Sequence, residues 1–251
     1  WRDKVDSPTW RRAWDVVHVI GGGAPALLWG IAFGNIVAGV EIDPNHWVTT
    51  SLLGLLNPFA LLAGAVFVLL FWLHGTLYLA LKLDGPLRQE ANHLAGILVW
   101  PTVVAGAAFL LWFQLAHSHT WLTLVPVAAA AAALLAVVPL NRARREGWAF
   151  AATTTAIAGA SLALFGGLFP YVLPATNDPA NSLTVANASS TEHTLTVMLV
   201  ALAVLLPVVL AYTVWTYRVF RHRIADEDSP APGEGLLEAA KQSYRRTFEQ
   251  S

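Results

Sequence analysis

Long runs without a charged side chain alternate with short polar stretches through the first 224 residues. Residues 16–40, 51–81 and 91–141 contain no Asp, Glu, Lys or Arg. The run 51–81 is thirty-one residues long, and at about 1.5 Å of rise per residue a helix of that length exceeds the roughly 30 Å of a bilayer's hydrocarbon core. Asn57-Pro58 interrupts it near its start. Proline lacks the donor that an inner helical turn needs, so the span is expected to begin or kink at Pro58, with Asn57 as its cap. The run 91–141 is too long for one helix and is divided by the His-Ser-His-Thr-Trp stretch at 117–121. Six spans result, at about residues 16–40, 51–81, 93–115, 121–140, 148–169 and 194–217. The fold class is all-α, a polytopic membrane protein.

The connections carry the polar chemistry. Residues 1–13 form a polar flank, with Trp10 and Trp14 suited to an interfacial belt. Asp15 precedes the first span and is expected to cap it. Residues 82–92 read as a turn broken at Asp84-Gly85-Pro86, and residues 141–147 as a basic turn. The loop after Pro174 supplies turns and caps at Asn177-Asp178-Pro179 and Asn187. Glu192 stands at the start of the sixth span, where the helix dipole favours an acid. Within the first span, Gly21-Gly22-Gly23 and the Gly30/Gly34 pair are expected to let a neighbouring helix approach closely. Beyond residue 224 a linker leads to Leu236, Ala240, Tyr244 and Phe248. Their four-residue spacing fits either an interfacial amphipathic helix or a solvated tail.

Composition agrees: 56% of residues are apolar and 12% charged, with a mean hydropathy of +0.54. The net charge of −1 says less than the distribution. All fifteen Lys and Arg fall in the N-terminal flank, the second and fourth connections and the C-terminal tail; the three intervening loops hold none. The positive-inside rule then puts both termini in the cytoplasm. The absence of cysteine excludes disulfides, thiolate metal sites and thiol nucleophiles, and no feature suggests nucleic-acid binding.

Histidine is the only ionisable side chain inside the spans. His18 and His74 lie near the cytoplasmic ends of antiparallel neighbours and could share a depth. Haem ligation by such a pair competes with the simpler expectation that each imidazole bonds backbone or water. His93 is expected at the interface; His46, His117, His119 and His193 fall in or beside outer loops. A metal at His117 and His119 would lack carboxylate ligands. Asn35, Asn57 and Gln114 are expected to make interhelical hydrogen bonds. No Ser-His-Asp arrangement, carboxylate pair or phosphate loop emerges, so no catalytic, cofactor-binding or metal residue is assigned. His18, His74, Asn57 and Asp15 remain as polar candidates.

Several stretches go beyond composition. WRRAWD at 10–15, GIAFGNIVAGV at 30–40, LLNPFALLAG at 55–64 and HGTLYLALK at 74–82 resemble subunit II of the cytochrome bd quinol oxidases. REGWAF at 145–150, FPYVLP at 169–174, NSLTVANASSTEHTLTVM at 181–198 and LAYTVWTYRVF at 210–220 continue the resemblance in the same order. It covers nearly all of residues 1–224. The resemblance implies an eight-helix subunit of two four-helix bundles in the bacterial plasma membrane, here without its first two helices. Residues 1–81 would be the second half of the first bundle, 82–224 the second bundle and 225–251 a cytoplasmic tail. It also implies a partner, subunit I, that holds haems b and d and the quinol site, while this chain ligates no cofactor. The complex would oxidise quinol and reduce dioxygen to water, with this chain supporting assembly and oxygen access. A small accessory subunit, lipid and quinone are further expected partners. Two alternatives remain open: a transporter or permease subunit broken at Asn57-Pro58 and Pro207, and a bis-histidine cytochrome using His18 and His74.

Overall fold

The structure, a computed structural model, describes residues 2–5, 7–118 and 120–219. The amphipathic tail and His119 lie outside the described residues. The helices are α1 (Pro8–Ala38), α2 (Pro58–Lys82), α3 (Gly85–Ala116), α4 (Leu124–Arg142), α5 (Glu146–Leu168), the single turn α6 (Val185–Ala188) and α7 (Glu192–Val219). A 3-10 turn, Trp121–Thr123, leads into α4. Six of the helices are long and apolar enough to cross a membrane, as the hydropathy pattern predicts.

The helix starts follow local chemistry. Pro8 and Pro58 occupy first-turn positions, where a missing N–H costs no intrahelical bond. Asn57 caps α2 as expected: its Oδ1 accepts from the Ala60 N–H at 2.9 Å. Two helices run past their apolar stretches. α1 begins at Pro8 and takes in the polar WRRAWD segment, so Asp15 lies inside the helix and does not cap it; Ser7 holds that position. The connection expected at 82–92 shrinks to Leu83 and Asp84, because α3 starts at Gly85. Pro86 in its first turn tolerates the helix there, and Ala91 and Asn92 turn inwards.

Helices α1, α3 and α5 pack on α2, and α4 packs on α3 and α5. Two apolar clusters fill the contacts. One gathers Val37, Phe59, Phe109, Phe113 and Leu164; the other, nearer the Arg-rich ends, gathers Leu73, Leu77, Val99, Leu134 and Val137. Between helices in lipid, small residues and close packing carry association. The expected Gly30/Gly34 contact is present: a Cβ on Gly30 would lie 2.6 Å from Gly64 Cα, and one on Gly34 would lie 2.7 Å from Ala60 Cα. The glycine run behaves differently. Among the described residues nothing lies within 4 Å of a Cβ built on Gly21 or Gly22, and only Gly23 meets a neighbour, Trp72, at 3.6 Å. Helix α7 has no buried residue.

At the end opposite the arginines, two loops lock together. Strands β1 (Tyr171–Leu173) and β2 (Leu183–Thr184) pair antiparallel. The preceding loop inserts Ile42, fully buried, among them. The Ile42 carbonyl accepts from Asn177 Nδ2 and Asn181 Nδ2, both at 2.9 Å, and its N–H donates to Asn177 Oδ1 at 3.0 Å. Gly39 makes this approach with φ +83°, where a Cβ would lie 2.8 Å from the Pro174 carbonyl oxygen. The expected caps are in place: Asp178 Oδ1 accepts from Ala180 N, and Thr184 and Asn187 form a reciprocal capping box.

Candidate functional site

The polar candidates divide between the two ends of the helices. At the loop end, Asn57 Nδ2 donates to Asn35 Oδ1 at 2.9 Å, and Asn35 Nδ2 donates to the carbonyls of Ile31 and Leu55 at 2.9 and 2.8 Å. The two asparagines thus tie α1 to the start of α2, as interhelical bonding predicts. They also line a polar cavity that includes Glu41, Thr50 and Thr176. Gln114 Oε1 accepts from Thr123 Oγ1 at 2.8 Å, joining the end of α3 to the turn before α4. His117 packs on Phe59, its ring centre 4.3 Å away, and His46 Nδ1 lies 3.2 Å from the Asn181 carbonyl.

Nearer the other end, His74 is half-buried on α2 and turned towards α5. Its Nδ1 lies 2.7 Å from Thr153 Oγ1, and its ring stacks on Phe150 at 4.3 Å. Thr153 Oγ1 also donates to the Phe150 carbonyl at 2.8 Å, which leaves His74 Nδ1–H as the donor of the pair. His18 is exposed on α1 with Nδ1 2.7 Å from the Trp14 carbonyl. Asp15 is held by Arg2, Oδ1 to Nε at 2.6 Å. His93 and His193 are exposed.

Sequence reasoning passed over one buried carboxylate. Glu146, at the first position of α5, is 5% exposed. Arg88 reaches it from α3 with Nε and a terminal nitrogen at 2.9 and 2.8 Å from Oε1, and Asn92 Nδ2 donates to the same oxygen at 3.1 Å.

Between α1, α2, α3, α4 and α5 lies an apolar cavity of about 230 Å³. Phe33, Phe67, Phe71, Phe109 and Phe165 form much of its wall, with Leu134, Ala156 and Ala160. Thr102 and Ser161 are the polar lining residues, and their hydroxyls donate to the Leu98 and Ile157 carbonyls. The space therefore offers apolar surface to a guest.

Residues 1–220 match the family model described as cytochrome bd terminal oxidase subunit II. The chain belongs to that family. Among similar proteins, the "probable cytochrome oxidase subunit 2" of Haemophilus influenzae is 32% identical, over 86% of this chain and 67% of that protein. The "cytochrome bd ubiquinol oxidase subunit 2" of Bacillus subtilis is 30% identical, over 90% of this chain and 68% of its own length. The "cytochrome bd-I ubiquinol oxidase subunit 2" of Escherichia coli K12 is also 30% identical, over 91% and 70%. The chain is thus a subunit II of a terminal oxidase, a multi-pass membrane protein that works within an oxidoreductase complex.

A cytochrome bd complex implies haem, which directs attention to the imidazoles of this subunit II. Both imidazoles of the His18/His74 pair are engaged through Nδ1. His74 engages α5 through Thr153 and Phe150, whereas His18 sits exposed against its own helix. Among the described residues no group of three or more His, Cys, Asp or Glu side chains is placed to hold a metal ion.

Proposed function

We propose that this subunit II acts beside a haem-bearing subunit I in the bacterial plasma membrane, where it supports assembly and offers an apolar route for dioxygen. In this account subunit I holds haems b and d and the quinol site, and those groups supply the electron transfer that reduces dioxygen to water. The chain itself ligates none of them. Both termini face the cytoplasm, which agrees with the arginine-bearing ends of the helices. α1 and α2 belong to one four-helix bundle and α3, α4, α5 and α7 to a second, within a subunit of eight spans; residues 225–251 form the cytoplasmic tail. Lipid, quinone and a small accessory subunit complete the expected surroundings.

The observation that supports the access role is the aromatic-walled cavity among α1 to α5. Dioxygen is small and apolar and needs no polar guide, so phenylalanine rings and Ala/Gly-rich helix faces suffice to admit it. Filling the space tests the role. Ala160→Phe in the assembled oxidase is expected to raise the KM for oxygen by roughly threefold or more while leaving the KM for quinol unchanged. An unchanged oxygen KM in a variant that assembles normally removes the cavity from the route.

A further inference from the structure

The starts of α3 and α5 and the end of α4 enclose a polar group that the access role does not use. Asn92 Nδ2 donates to Glu146 Oε1 at 3.1 Å and to the Arg88 carbonyl at 3.0 Å. Asn141 Nδ2, from the last turn of α4, donates to the Asn92 carbonyl at 3.3 Å. These bonds fix which way each amide faces, because turning either over would set oxygen against oxygen. The amide oxygens are left as acceptors on residues only 4% and 8% exposed. Among the described residues, no protein group donates to Asn92 Oδ1 or Asn141 Oδ1. On the far side of the Arg88–Glu146 pair opens a polar cavity of about 440 Å³, lined by Asp84, Gly85, Arg88, Gln89, Arg144 and Glu146 but by neither asparagine. Arg88 and Glu146 are thus shared between the cavity wall and the buried group.

We propose that this is an internal water site, in which water entering from the cavity donates to Asn92 Oδ1 and Asn141 Oδ1 and hydrates the Arg88–Glu146 pair. The chemistry selects the ligand. Arg88 already neutralises Glu146, so what remains is a pair of neutral acceptors, and a cation would add an unbalanced charge beside a guanidinium. Water supplies two donors, and internal waters settle where two to four polar partners converge. Buried acceptors on α3 and α4, with the carboxylate on α5, let water add to the direct polar contacts that already join the three helices. The inference is independent of the oxygen route.

The test is a cryo-EM map of the complete two-subunit oxidase at a resolution that shows ordered water. Density within roughly 2.7–3.2 Å of both amide oxygens is expected, lost beside residue 141 in Asn141→Leu and kept in Asn141→Ser, with the Arg88–Glu146 contact intact in both. Thermal unfolding gives a second readout. A hydrated acceptor gains nothing from replacement, so the midpoint of Asn141→Leu is expected to stay the same or fall. A map without water at either oxygen, or a rise in that midpoint, overturns the proposal.

Discussion

Glu146 and Asn57 show how position decides what a polar side chain does in this fold. Glu146 gives up water at the start of α5, and the Arg88 guanidinium and the Asn92 amide replace it. Removing one partner of a fully buried pair costs about 3–5 kcal/mol. Arg88 keeps 32% of its side chain exposed, so Glu146→Ala is expected to cost about 1–3 kcal/mol in chemical denaturation. Arg88→Ala combined with it should cost less than the two changes added together; strict additivity would mean that the contact carries no coupling. At the other end, Asn57→Ala removes a cap worth about 1 kcal/mol and an interhelical hydrogen bond worth roughly 0.6. A loss of about 1–2 kcal/mol is expected, and Asn57→Asp should recover the cap portion alone. Asn57 was legible because Asn-Pro is a local helix-start signal. Glu146 was not, because nothing within its own segment shows that Arg88, 58 residues earlier, will neutralise it.

At the scale of elements, hydropathy located the six long helices but not their full extents. Apolarity marks where lipid lies, whereas a helix continues as long as its backbone and neighbours permit; α1 and α3 therefore reach back through polar turns to Pro8 and Gly85. For the same reason Asp15 was misplaced as a cap. The glycines separate pattern from packing most clearly. Gly30 and Gly34 meet α2 at distances that exclude a Cβ, while Gly21 and Gly22, in the more obvious run, face open space. Gly30→Ala is expected to push α1 from Gly64 and to lower both the yield and the melting temperature of the complex. Gly21→Ala is expected to be neutral or to stabilise by up to about 1 kcal/mol through helix propensity. Equal behaviour of the two variants in a thermal-shift comparison would contradict the α1–α2 contact.

Across the whole molecule, helices α1 to α5 share two apolar clusters, close one aromatic-walled cavity, and carry polar groups at both ends. At the loop end Ile42 is held by its asparagine clasp; the opposite end holds the Arg88–Glu146 pair. Membership of the subunit II family places the chain in a terminal oxidase. The six-span pattern was legible because each span is a long uncharged run. The cavity was not, because it depends on which phenylalanines of separate helices converge. The most direct measurement is co-purification of the full-length subunit with its membrane partners, followed by a reduced-minus-oxidised spectrum and quinol-dependent oxygen uptake. Recovery of a haem-bearing partner with that activity is the predicted result. A stable, colourless subunit that purifies alone and restores no oxygen uptake when the partner is supplied would contradict the account.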